Sequence, residues 1–306
     1  FADAGTYDGS NTKGWTVDHV SNVLTLDTGG AGTPSISFGT VPNNAVNAVA
    51  MKVVLAGTEG VDIQKLHSYS RPVRFTRANS YGGTTTIKNG GWLELWHDDA
   101  LGTSSAVVEG GGQLLLYCDA TTGNRTISNA IALDDGATLA GSGDSTTRSC
   151  TLDGALTIAG DVKINSWSRS RFDIDTVISE SVAGANVVFG SFQFDSNRGS
   201  LRLLQASSYT GNSLVTRGAQ VTAMHADAFG TTANTVVVNG TGTGSNLGIL
   251  WLGAATGLNM NKTIEVGPNG ALYFNRGVTN ANTININGGT LGFGGGGSGD
   301  REHTGT

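Results

Sequence analysis

Short apolar runs alternate along this chain with clusters of Gly, Asn, Asp, Ser and Thr. Val107-Val108 stops at Gly110-Gly111-Gly112, and Leu114-Leu115-Leu116 follows. Asn124-Arg125-Thr126-Ile127 comes next, then Ile131 and Leu133, then Asp134-Asp135-Gly136-Ala137-Thr138-Leu139. Runs of this length, rich in β-branched residues and bounded by turn formers, predict strands. Glycine supplies turn positions of positive φ, and Asn and Asp bond their own backbone in tight turns. No window makes a convincing helix. The nearest is Ala45 to Leu55, where Val46, Val49, Val53 and Val54 suit a strand equally well.

The pattern is written twice. Ser80-Tyr81-Gly82-Gly83-Thr84-Thr85-Thr86-Ile87 is followed by Gly90, Leu93, Leu95, His97 and Asp99-Ala100-Leu101-Gly102-Thr103. Ser208-Tyr209-Thr210-Gly211-Asn212-Ser213-Leu214-Val215 is followed by Gly218, Val221, Ala223, His225 and Asp227-Ala228-Phe229-Gly230-Thr231, at a constant offset of 128 (208 − 80). Val107-Val108-Glu109-Gly110 then matches Val237-Val238-Asn239-Gly240 at an offset of 130. Further on, Asn124-Arg125-Thr126-Ile127 is answered by Asn261-Lys262-Thr263-Ile264. Internal repeats of this kind predict a solenoid, whose units bury their apolar faces against their neighbours. Leu93, Val107, Leu114, Leu116, Ile127, Leu139, Leu156 and Ile158 are expected to line its interior, and Gly83 and Gly211 to sit at positive φ.

At these residues the chain resembles the passenger-associated, autotransporter-type β-strand repeat of bacterial surface proteins. That family reads roughly G-x-L-x-L-x-x-x-N-x-Y-x-G-x-T-x-I, then G-x-L, then A-L-G, then a valine strand. Gly199-Ser200-Leu201-Arg202-Leu203 through Tyr209, Gly211 and Val215 follows the pattern, as does Val73-Arg74-Phe75 through Asn79, Tyr81, Gly83, Thr85 and Ile87. The resemblance spans about Val61 to Phe293. It implies an all-β fold, a right-handed parallel β-helix, exported and displayed outside a bacterial cell; it implies no activity. The expected division is a β-rich N-terminal segment (1–60), a repeat-bearing β-helix (61–293) and a Gly-rich C-terminal tail (294–306).

Composition narrows the partners. Glycine is 47 of 306 residues, and only 14% of residues are charged. The net charge of −6 argues against nucleic acid. No apolar run approaches the roughly 18 residues of a membrane-spanning helix. The chain starts at Phe1, as expected of a fragment or of a chain whose signal peptide is gone. Export would permit a disulfide between Cys118 and Cys150, the alternative being two separate thiols on adjacent coils.

Candidate chemistry is sparse. His97 and His225 each precede an aspartate by two residues, which suits either an acid–base or metal pair or a capped turn. Arg169, Arg171, Asp173 and Asp175 alternate with Ser170, Phe172 and Ile174, so on a strand they share one face. That is the kind of cluster a polysaccharide-cleaving β-helix uses, or else a ladder of ion pairs. Asp98-Asp99 and Asp134-Asp135 sit in turns without the spacing of a calcium loop. Trp92, Trp96, Trp167 and Trp251 suit sugar stacking, core packing or subunit contact. No catalytic, cofactor-binding or metal-binding residue is assigned.

The expected role is a non-enzymatic structural protein, extracellular or at a bacterial surface, with head-to-tail self-association into a filament. The alternatives are an adhesin passenger stalk, with glycans or other surface proteins as partners, and a polysaccharide lyase or hydrolase. Neither terminus reads as a cap. Phe1, Tyr7, Trp15, Gly294, Arg301 and His303 are the candidate assembly residues.

Overall fold

The computed structural model describes residues 15–18, 23–26, 35–39, 41–42, 49–51, 54–65, 70–118, 123–143, 148–167, 171–191, 199–216, 218–231, 234–241, 247–253, 258–275, 278–280 and 283–293. Every regular element among them is a strand. The ambiguous stretch from Ala45 to Leu55 therefore contributes Val49–Met51 and the start of Val54–Gly57.

The strands stack in parallel as a β-solenoid with three faces. Sheet I has seven strands, from Ser35–Gly39 to Ile178–Glu180. Sheet II has eleven, from Val49–Met51 to Ile284–Ile286. Sheet III has eight, from Arg125–Ile127 to Thr290–Phe293. With eleven strands in sheet II, ten steps of about 4.8 Å give a stack roughly 48 Å long. Antiparallel pairing occurs near the start of the chain. Trp15–Asp18 runs against Val23–Leu26, and Val23–Leu26 joins Val54–Gly57 in parallel. This three-strand sheet ends in an antiparallel edge, whereas sheets I and II begin with parallel pairs.

Alternation within each strand sends one set of side chains to the axis. In sheet II the backbone of Val49 pairs with Val73, and from there the inward register runs Val73, Leu93, Leu114, Leu139, Ile164, Phe189, Val215, Val238, Val266, Ile286. Val73 to Val266 are buried, each worth roughly 1.5–3 kcal/mol against exposure. Ile286, the last of the column, is 40% exposed. Of the expected interior residues, Leu93, Leu114, Leu116, Ile127, Leu139, Leu156 and Ile158 are in the core. Val107 is not: Ala106 and Val108 point inward, and Val107 between them points out.

The two sequence copies do not occupy the same faces. Thr85–Ile87 lies in sheet I and Trp92–Leu95 in sheet II, whereas their counterparts Ser213–Thr216 and Gln220–Ala223 lie in sheets II and III. The register explains the offset. Five coils carry Leu93 to Val215, a distance of 122 residues (215 − 93), and six more (221 − 215) cross from sheet II to Val221 in sheet III. The repeat of 128 is therefore five coils and one further face.

Gly83 and Gly211 correct another expectation. Neither has a left-handed φ. A Cβ on Gly83 would overlap the Glu59–Gly60 peptide, and one on Gly211 the Ala185 carbonyl. Glycine is needed there because the preceding coil passes too close for a side chain.

Candidate functional sites on the turns and outer faces

The two histidine turns are built alike. The Asp99 N–H donates to His97 Nδ1 at 3.1 Å, and the Asp227 N–H to His225 Nδ1 at 3.1 Å. Each ring caps its own turn. Among the described residues no group of three or more His, Cys, Asp or Glu side chains is placed to hold a metal ion. A groove of about 610 Å³ lies beside the first turn, lined in part by Asp98, Asp99, Thr126 and Asn129. Of its two carboxylates, Asp98 is engaged: its Oδ1 accepts the Thr126 N–H at 3.1 Å and lies 3.5 Å from Arg125 Nη1, while Asp99 is exposed.

A cap that sequence comparison misplaced joins each turn to the next coil. Asn129 Nδ2 donates to the Gly102 carbonyl at 3.0 Å and the Ser104 carbonyl at 2.7 Å. In the second copy Lys262 Nζ donates to the Gly230 carbonyl at 2.7 Å and to the Thr231 carbonyl. Ala106 pairs with Ile131, and Val236 with Ile264. Lys262 therefore corresponds to Asn129, not to Arg125; the second coil is longer, 28 residues (264 − 236) against 25 (131 − 106). Burial pushes the Lys262 amine down to about 8, against the opposing pull of Asp227.

The charged strand of sheet III is an ion-pair ladder. Asp173 is 3% exposed. Its carboxylate accepts Arg171 Nε at 3.0 Å and, from the neighbouring coil, Arg202 Nε at 2.8 Å and Nη2 at 2.6 Å. Asp175, just past the strand, is exposed and accepts Gln205 Nε2 at 2.8 Å. Arg169 and Ser170 lie outside the described residues. Asp173 is thus engaged by two guanidiniums and Asp175 by Gln205, the arrangement of an ion-pair ladder.

A second ladder is legible only with the register in hand. Asp135 Oδ1 accepts the Asp161 N–H at 2.9 Å, and Asp161 Oδ1 accepts the Asn186 N–H at 3.0 Å. Asn186 Oδ1 accepts the Asn212 N–H at 2.8 Å, and Asn212 Oδ1 the Thr235 N–H at 3.0 Å. Each side chain satisfies the backbone of the coil that follows it. The signal in the sequence is the recurrence of Asp or Asn at intervals of 25 or 26 residues.

Trp92, Trp96, Trp167 and Trp251 lie outside the core cluster. Trp96 stacks on Tyr117 with centroids 4.0 Å apart, and Arg74, one coil earlier, sits 4.7 Å over its ring. Glu94 accepts both Trp96 Nε1 at 2.9 Å and Arg74 Nε at 2.5 Å. Trp92 stacks on Trp167 at 5.6 Å, and Trp251 on Tyr273 at 4.5 Å, the Tyr273 ring lying against Gly292. Each of these four tryptophans thus gives ring surface to a protein partner, and Trp96 to two.

Cys118 and Cys150 are buried, are not joined in a disulfide, and are brought together by adjacent coils. Of the candidate assembly residues, Trp15 lies in the N-terminal hairpin opposite Leu26. Phe1, Tyr7, Gly294, Arg301 and His303 lie outside the described residues.

Comparison with protein-family models, with curated proteins and with solved structures gives no match for this chain. No helix among the described residues is long and apolar enough to cross a membrane.

Proposed function

We propose that this chain is a structural β-solenoid, a rod displayed at or released from a bacterial surface, whose polar side chains serve to fasten one coil to the next. The observation that carries this reading is the use made of its most chemically capable groups. Asp173 is clamped by arginines of its own and the adjacent coil, and the Asp135, Asp161, Asn186 and Asn212 side chains each hold the backbone of the following coil. A general acid or base has to reach a substrate proton, and these groups are taken up by bonds within the protein.

The role includes head-to-tail assembly. Ile286 closes the inward column of sheet II with much of its surface open, and Thr290–Phe293 is the last strand of sheet III. A second copy stacked on this end would extend both sheets and cover Ile286. Negative-stain microscopy and light scattering of the purified chain test the reading. Filaments are expected, and deletion of residues 294–306 is expected to leave a folded monomer. Monomeric rods under all conditions would favour an adhesin stalk. Release of reducing ends or unsaturated uronates from acidic polysaccharides would overturn the structural reading in favour of a glycan-cleaving enzyme.

A further inference from the structure

Cys118 ends the strand Gln113–Cys118 of sheet II, and Cys150 lies in Ser149–Leu152, the second strand of sheet III. Gln113–Cys118 pairs with Thr138–Gly143, the strand that leads into Ser149–Leu152, so the two cysteines belong to consecutive coils. Both are fully buried. Both sulfurs converge on one acceptor: Cys118 Sγ lies 3.5 Å from the Ser142 carbonyl oxygen, and Cys150 Sγ lies 3.2 Å from it. Cys150 Sγ is also 3.3 Å from the Leu116 carbonyl oxygen, and the Cys118 side chain is its neighbour.

The surroundings set the chemistry. Burial, with the neighbouring Cys118 adding to it, pushes the Cys150 thiol up. Arg125 opposes this weakly; its register partner is Cys150, and its Nε is buried without a hydrogen-bond partner. Cys150 is therefore held as the thiol while the coils are closed, and exchange needs them to be open.

We propose that Cys118 and Cys150 close into an intramolecular disulfide that staples two consecutive coils at the level where sheet III begins. The reaction runs while the coils assemble or transiently part. One cysteine thiolate attacks a low-molecular-weight disulfide, forms a mixed disulfide and expels one small thiolate. The second cysteine thiolate attacks the first cysteine's Sγ in that mixed disulfide, forms the Cys118–Cys150 bond and expels the other small thiolate. The protein loses two protons and two electrons, and the small disulfide is reduced to two thiols. The staple closes a loop across 32 residues (150 − 118), long enough to restrict the unfolded chain substantially. It also anchors Ser149–Leu152 beside Arg125–Ile127, the end strand of its sheet.

The test is to refold the full chain with a reductant or with oxidised glutathione. Thiol titration of the denatured product should find both of the chain's cysteines free in the first case and neither in the second. A non-reducing digest should give one cross-linked peptide pair carrying Cys118 and Cys150. The thermal midpoint should rise by roughly 5 °C or more with oxidation, return with reductant, and fail to respond in the Cys118→Ala/Cys150→Ala variant. Two titratable thiols in the folded, oxidant-treated chain would overturn the proposal, as would glutathione on each cysteine or a bond between chains. If the double variant does not fold, thiol count and digest on the unsubstituted chain still decide.

Discussion

Tyr81 and Tyr209 make the same bond on different faces of the rod. The Tyr81 hydroxyl lies 2.6 Å from Thr85 Oγ1, at the entry to sheet I, and the Tyr209 hydroxyl lies 2.6 Å from Ser213 Oγ, at the entry to sheet II. Both rings are fully buried. The repeat unit thus carries its own core plug and the plug's hydrogen-bond partner, and it works wherever the coil count places it.

Removing either hydroxyl tests that unit. Tyr209→Phe should cost roughly 1–3 kcal/mol, because it strands the buried Ser213 hydroxyl. Tyr81→Phe should cost less, since Thr85 Oγ1 keeps Ser104 Oγ at 3.3 Å. Urea titrations of the two variants check the order; equal losses would show that Ser104 gives Thr85 no support.

The glycine argument separates crowding from backbone strain. Gly211→Ala forces a methyl group into the Ala185 carbonyl and should destabilise by about 2 kcal/mol or more. Gly184→Ala has open space around the new methyl but a φ of 87°, so only the left-handed penalty of about 1–2 kcal/mol applies. Thermal melts of the two variants compare them directly.

Core register has an equally sharp contrast. Leu116→Ala removes a fully buried side chain and should cost roughly 2–5 kcal/mol. Val107→Ala alters an outward side chain and should stay within about 0.5 kcal/mol. A large loss at Val107 would mean that its outer face is covered by something that packs as tightly as the core.

The solenoid was legible in the sequence because stacked coils must repeat both their turns and their apolar alternation, as the copies at Ser80 and Ser208 do. Most of the core followed, but Val107 did not. Three small or apolar residues in a row, Ala106-Val107-Val108, leave the inward parity undetermined until the pairing with Ile131 and Leu133 fixes it. The pairing of turn with cap was lost at Lys262 because coil lengths differ, and a motif search slides over the three added residues. The ladder through Asp135, Asp161, Asn186 and Asn212 was invisible for the same reason: its spacing means nothing until the coil length is known. The Asp173 clamp was half visible. Alternation placed Arg171 and Asp173 on one face, whereas Arg202 arrives from another coil 29 residues away.

That clamp gives the next prediction. Asp173→Ala leaves Arg171 and Arg202 facing each other without their shared anion and should destabilise by about 3 kcal/mol. Pairing it with Arg202→Met should recover part of the loss, a coupling that a double-mutant cycle reads. Additive losses would show that the ion pair contributes no coupling across the coils.

Alkaline pH probes the buried titrating groups in opposite directions. Lys262 has a folded value of about 8 against 10.5 when unperturbed, because burial disfavours its charge. Between those values the unfolded chain binds more protons than the folded one, so stability rises with pH. Tyr81 is pushed up to about 12 from 10.0, chiefly by burial, with Thr85 and Ser104 opposing; Tyr209 is pushed up further, also by burial. Their contribution is fully present below about pH 10, where unfolded phenols are still protonated, and is lost as pH climbs through the folded values. The thermal midpoint should therefore climb from about pH 8 towards 10 and fall steeply beyond. Lys262→Met should flatten the climb while leaving the fall, and Tyr209→Phe should soften the fall while leaving the climb. A climb unchanged in Lys262→Met would show that the amine is solvated and does not carry the desolvation cost that its place under Gly230 and Thr231 implies.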